Sequence, residues 1–218
     1  MRITFLLLMI FGVSAYGQNT YLELGGSAGS SSGSAGLALH KNWGLGANKK
    51  FLVGTGVRLT SFFGKEIYFT SAPNSLATVE TSTDSLFAPK PSLTSLNAMI
   101  NLGYAITNKI EVGFNIDALG FSFGPTGSPN FVSNGKSKAT AAKPTALNVL
   151  LVGNNDRGSL NSHFYAKLKL SEKFGVKLAY QYLFNELTTS TQVQTVPEAN
   201  DRFRFKSSMV YLGVNYSF

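Results

Sequence analysis

Cysteine is missing from all 218 residues. Its absence excludes a disulfide framework, a thiolate metal site and lipid attachment through a lipobox cysteine. Histidine is scarce as well. His40 and His163 alone cannot make a metal centre without further ligands of known position. After the first residues no apolar run approaches ~18 positions, so no helix of this chain is long and greasy enough to cross a bilayer. The formal net charge is +8, but the lysines and arginines are scattered rather than collected in runs. We therefore expect no nucleic-acid partner; a basic surface of this kind suits anionic headgroups or acidic polysaccharide, or simply keeps the chain soluble. Phosphate loops, dinucleotide fingerprints and calcium loops are also missing, and we expect no cofactor and no metal.

What is present begins with an export signal. Arg2 supplies a positive end, Ile3 to Val13 is apolar, and small residues follow at Ser14, Ala15 and Gly17. The run is shorter than the ~20 residues of a membrane-spanning helix, and its flanks match a cleaved secretory peptide. Cleavage is expected near Gly17–Gln18. Residues 1–17 are then the signal, and residues 18–218 form one domain of ordinary size.

Through that domain apolar and polar residues alternate with period two, the mark of half-buried strands. Ile110, Val112, Phe114, Ile116 and Ala118 oppose Glu111, Gly113, Asn115 and Asp117. Val176, Leu178, Tyr180, Tyr182 and Phe184 oppose Lys177, Ala179, Gln181 and Asn185. The same pattern recurs from Tyr21, Ser34, Phe51, Thr94, His163 and Met209, giving eight strands. Short turns are expected at 42–49, 107–109 and 171–174. Between them lie a Gly/Ser connection at 29–33 and long connections at 64–92, 123–158 and 188–201. Short turns at one end and long loops at the other are the asymmetry of bacterial outer-membrane barrels.

Alternation alone does not separate a barrel in lipid from a lipocalin-like barrel in water, and that soluble reading stays open. Three features favour lipid. The strands are about 9–12 residues long, the reach of a tilted membrane strand. Aromatics gather toward strand ends, as at Phe51, Phe63, Tyr104, Phe164, Phe174, Tyr182, Phe184, Tyr216 and Phe218, in the manner of an interfacial girdle. The opposite face carries both signs of charge: Glu23, Glu111 and Asp117 with Arg58, Lys167, Lys169 and Lys177. An eight-stranded bore holds interlocking side chains rather than a wide channel. These seven are therefore expected to form a structural charge ladder in the lumen, with a narrow ion path and a binding site as the alternatives.

The signal, the eight strands, the one-sided long loops and the terminal "YLGVNYSF" resemble the small outer-membrane barrel families, the OmpA transmembrane domain and the OmpX-like proteins. The resemblance implies a closed, up-and-down, antiparallel transmembrane barrel. It also implies that Leu212, Val214, Tyr216 and Phe218 match the terminal signal read by the outer-membrane insertion machinery. It covers the mature chain architecturally, without an internal motif, and we expect no peptidoglycan-binding domain of the OmpA kind. Two segments leave the strand number open. "EIYFTS" (from Glu66) and "ALNVLLV" (from Ala146) together would make ten strands; otherwise they are extensions or small sheets above eight.

Chemical motifs are weak. Ser27 and Ser31 each sit in a G-x-S-x-G match, but that elbow requires a following helix and acid and histidine partners. A flexible hairpin tip is the plain expectation. His40 and His163 are expected as satisfied or interface side chains. The leading functional expectation is an outer-membrane barrel in contact with outer-membrane lipid, non-enzymatic and porin-like in build. It would act through external loops 64–92 and 124–158 in envelope structure, adhesion or contact with a surface ligand. A narrow solute channel is the second expectation, and a lipid-modifying enzyme acting at His163 or His40 the third.

Overall fold

The computed structural model describes residues 18–78, 80, 83–151 and 155–218. The expected signal peptide and its cleavage point lie outside the described residues. In chain order the strands are β1 (Gln18–Ala28), β2 (Ser32–Leu45), β3 (Phe51–Gly64), β4 (Ile67–Ser71), β5 (Ser85–Ala88), β6 (Ser92–Ala105) and β7 (Ile110–Phe123). They continue as β8 (Asn130–Ser133), β9 (Lys136–Ala139), β10 (Ala142–Pro144), β11 (Leu147–Val149), β12 (Leu160–Lys169), β13 (Phe174–Thr189) and β14 (Arg202–Ser217).

Eight of these close a barrel. β1, β2, β3, β6, β7, β12, β13 and β14 pair in that order, each antiparallel to the next, and β14 returns to β1. Following paired residues around the wall, Gln18 leads through Trp43, Val53, Leu102, Phe114, Phe164, Tyr180 and Val210 to Ala28. The circuit thus returns to β1 ten residues above its start. That stagger over eight strands tilts them about 40° from the barrel axis.

Turn chemistry explains the short-turn end. The β2–β3 turn begins later than the sequence suggests: Asn42 lies inside β2, and Gly46 and Lys49 turn the chain at φ +79° and +50°. Thr107 Oγ1 accepts hydrogen bonds from the amides of Lys109 (3.1 Å) and Ile110 (3.0 Å), tying off β6–β7. Ser171 Oγ does the same for Phe174 N (3.0 Å) between β12 and β13. The Gly/Ser segment is the β1–β2 hairpin, with a strand and not a helix after it.

The long loops fold as well. Loop 65–91 contributes β4 and β5, and loop 124–159 contributes β8 to β11, with Asn134 and Gly135 as a two-residue β8–β9 turn at positive φ. β4 pairs with β14 at Thr70 and Ser71, and β11 pairs with β7 at Leu119–Phe121. The two ambiguous segments therefore extend the wall upward. The barrel has eight strands, not ten.

Two sequence expectations need correcting here. Only β1 and β12 keep to the expected 9–12 residues: β2, β3, β6 and β7 run 14 each, and β13 and β14 run 16 each because their upper ends pair with β10 and β4 above the barrel. β7 also breaks its own alternation: the register against β6 shifts at Ala118, a β-bulge. Asp117 points inward before it, yet Leu119, Phe121 and Phe123 point outward after it. One extra residue keeps both halves of the strand correctly faced.

Candidate functional site: the ion-paired lumen

The inward face of the lower wall brings six of the seven expected charges together in three pairs. Glu23 on β1 and Lys177 on β13 are each 1 % exposed. Lys177 Nζ donates to both carboxylate oxygens of Glu23, at 2.9 and 3.1 Å, and Tyr211 OH adds a third hydrogen bond at 3.0 Å. The ammonium also lies over the rings of Tyr165 and Tyr211 (4.7 and 5.4 Å). Such contacts replace part of the water lost on burial.

Nearer the long loops, Arg58 on β3 reaches over β6 to β7. Its Nε and Nη2 donate to Asp117 Oδ1 (3.0 and 2.5 Å), Nη1 to Asn115 Oδ1 (2.8 Å) and Nη2 to the Asn161 carbonyl (2.6 Å). The second oxygen of Asp117 accepts from Asn97 Nδ2 (2.7 Å) and Asn161 N (3.0 Å). Every charge-bearing oxygen here has a partner, which is the condition for keeping a buried pair ionised.

At the short-turn end Lys167 Nζ pairs with Glu111 Oε2 (2.6 Å), Tyr165 OH donates to Glu111 Oε1 (2.8 Å), and Lys167 also lies 4.2 Å from the Tyr21 ring. Lys169 is the exception. It shares the inward parity but is exposed, because β12 ends there and the bore has already opened into a mouth.

The tyrosines that bind these pairs are missed by a reading based on charge, as are Asn97, Asn115 and Asn161. Their signal is parity: each alternates onto the charged face of its strand. Small residues opposite make the space. A Cβ on Gly25 would fall 2.3 Å from Tyr211 OH, and one on Gly113 would fall 2.6 Å from Tyr165 OH. Both histidines also lie in the bore. His40 stacks on Tyr21 with ring centroids 4.4 Å apart, and its Nε2 lies 3.6 Å from Glu23. His163 packs on Tyr211 at 4.5 Å, and no ring nitrogen of either histidine has a hydrogen-bond partner, contrary to the expectation of satisfied side chains.

The outward face is apolar over the same height. Leu212, Val214 and Tyr216, expected as part of the terminal signal, all point outward. Tyr216 packs between Phe174 (5.3 Å) and Phe218 (5.5 Å), completing a lower aromatic ring with Phe51 and Tyr104. Hydroxyls on this face bond within the wall: Thr55 to the Met99 carbonyl (2.9 Å), Ser61 with Thr94 (3.0 Å), Ser162 to the Tyr182 carbonyl (3.2 Å) and Tyr180 with Ser208 (2.6 Å). In hydrocarbon no solvent would satisfy them.

Above Arg58 the bore changes character. Phe62, Phe69, Leu86, Leu93, Leu183 and Phe203 pack into a buried apolar cap filled partly from β4 and β5. The charges there move outside: Glu186 is buried on the outer wall between Arg202 (2.7 Å) and Arg204 (2.7 Å), and Arg204 also donates to the Asp156 carbonyl.

Wall and bore together define a small closed eight-stranded β-barrel, polar within and apolar without over its lower half. Among solved structures, the chain is similar to neisserial surface protein A (10 % identity, TM-score 0.41, over 92 % of this chain and 96 % of that one). It is similar also to Ail, the attachment invasion locus protein of Yersinia pestis (10 % identity, TM-score 0.40, over 94 % and 100 %). A de novo designed transmembrane β-barrel aligns over 94 % of this chain and all of its own, at 10 % identity and TM-score 0.34. No family model matches the sequence, and no curated protein does. At this level of likeness none of these proteins lends the chain a function.

Proposed function

We propose that the chain is an integral outer-membrane barrel that carries a folded β platform on the cell surface, acting in envelope structure, adhesion or contact with a surface ligand. The observation that carries this reading is the reversal of the two wall faces. Val210 and Leu212 are 65 % and 63 % exposed while Lys177 is 1 % exposed, all within paired strands. Water would favour the opposite arrangement; acyl chains favour this one. The satisfied outward hydroxyls and the aromatic ring at the short-turn end support the same placement. The terminal residues Leu212, Val214, Tyr216 and Phe218 are available to the insertion machinery as an outward apolar edge.

The lumen is a brace and not a conduit. Three ion pairs fill the lower half and the apolar cap closes the upper. Reconstituted in planar bilayers, the protein is expected to give no steady current; an ohmic conductance that tracks protein concentration would overturn this. Protease added to intact cells should cut first within 64–92 or 124–158, and cuts confined to the short turns would reverse the orientation. His40 and His163 are buried in the bore, away from the lipid-facing surface, which supports a non-enzymatic role. Any lipid-modifying activity found in the purified protein should survive alanine at both positions, and its loss in the double variant would reinstate the enzyme reading.

A further inference from the structure

The short-turn end of the barrel opens into a cavity of about 580 Å³. Its rim is cationic. Lys50 follows the β2–β3 turn, Lys109 precedes β7, Lys169 ends β12, and all three are exposed. Of the two glutamates on the lining, Glu111 is neutralised by Lys167 (2.6 Å), leaving Glu172 exposed in the β12–β13 turn.

On the inner lining lies a second, independent feature. Asn215 of β14 faces the bore, is 3 % exposed, and neither its Oδ1 nor its Nδ2 has a hydrogen-bond partner. A buried amide left unpaired is costly, and Asn215 is the one of the wholly unpaired amides in the bore that borders the cavity. Here the amide lines a cavity whose entrance carries three exposed lysines and one exposed glutamate.

We propose that this mouth is a binding site for a small carboxylate with neighbouring hydroxyls, a solute of the sugar-acid class. The lysine rim takes the carboxylate. The Asn215 amide, donor at one atom and acceptor at the other, pairs with an adjacent hydroxyl. The volume suits a ligand of one or two sugar units and lies within the ordinary range of small-molecule sites, roughly 300–1,000 Å³. This end of the molecule would bind the solute whichever compartment it faces, so the site stands or falls separately from the surface role.

The test is an amide NMR titration of the refolded barrel in detergent micelles with glucuronate, using glucose as the uncharged control. Glucuronate is expected to give saturable shifts at Lys109, Gly175 and Asn215, and glucose none. Lys109→Gln with Lys169→Gln should weaken glucuronate at least about fivefold, and Asn215→Ala at least about threefold. Lys138→Gln with Lys143→Gln, at the opposite end, should leave the midpoint unchanged. Asn215→Ser repeats the amide test should the alanine variant fail to give the heat-modifiable gel mobility of a folded barrel. Shifts that never saturate, an equal response to glucose, or an unchanged midpoint in the double-lysine variant would each overturn the site. A lysine effect without an Asn215 effect would reduce it to a diffuse basic rim, which also overturns it.

Discussion

At and below the level of Arg58, the inward face of the wall carries Glu23, Lys177, Glu111 and Lys167, and the outward face carries Leu178, Val210, Leu212 and Val214. Above Phe62 the inner face turns apolar, and the outer wall of β13 and β14 takes up charge. Phe69, Leu86 and Phe203 pack inside, while Glu186 and its two arginines sit on the outer wall. The exchange happens within single strands: on β3 between Arg58 and Phe62, and on β13 between Gln181 and Leu183. A strand does not change its backbone rule over four residues, so the change lies in what surrounds it. In the proposed placement the lower half meets hydrocarbon outside, whereas the charged outer wall of β13 and β14 is covered by the folded loop at Asp156 and Ser159. Each half buries what its surroundings reject.

The largest way to break that comparison is through the lumen. Lys177→Met leaves the Glu23 carboxylate buried without its counter-ion, and unfolding in urea from lipid vesicles should show a loss of about 3–5 kcal/mol. Adding Glu23→Gln should restore more than half of it, since a neutral pair no longer has a charge to hide. A single-variant loss below about 1 kcal/mol would mean that the bore is wet enough to solvate a lone carboxylate.

The upper half should fail differently. Phe203→Ala empties the centre of the apolar cap, at a cost of about 3 kcal/mol, but locally. Amide exchange should quicken in β4, β5 and β10 and stay slow in the lower halves of β1 and β2; uniform acceleration would show one cooperative unit where two environments are described here.

Outward substitutions sharpen the contrast further. Leu212→Arg should cost about 2 to 3 kcal/mol in vesicles, whereas Val196→Arg, exposed in the upper loops, should stay within about 0.5 kcal/mol. Equal small effects at both sites would place Leu212 in water. The smallest expected change is at Lys41, which points outward low on β2 with its Nζ 5.8 Å from the Trp43 ring. Its stem lies along the apolar face while the charge reaches for the interface. Lys41→Gln should cost less than about 1 kcal/mol, measured by the same urea titration.

Much of the lower half was legible in the sequence because period two is a strict physical constraint: a strand with an apolar outer face and packed charge on the inner one has no freedom to mix them. That constraint sets Glu23, Arg58, Glu111, Asp117, Lys167 and Lys177 on one face of their strands, and the mixed signs there, with aromatics at the strand ends opposite, point that face inward. It does not say where the bore ends, which is why Lys169, with the right parity, lies at an open mouth. The bulge at Ala118 was hidden because a single inserted residue leaves two correct half-patterns, and the adjacent apolar pair Ala118–Leu119 was its only trace. The upper storey was least legible. β4, β5 and β8 to β11 are three to five residues long, too short for a period to register. Their apolar residues pair with partners far away in the chain, and such contacts leave no local signature.

The most direct test of the reversed faces is to measure, in lipid nanodiscs, nuclear Overhauser contacts from the methyl groups of Val57, Ile100, Leu178 and Leu212. Cross-peaks to lipid acyl methylenes at all four, with the Leu86 and Leu183 methyls of the cap showing none, are the predicted result. Cross-peaks to water at Leu178 and Leu212, with no lipid contact, would contradict the account.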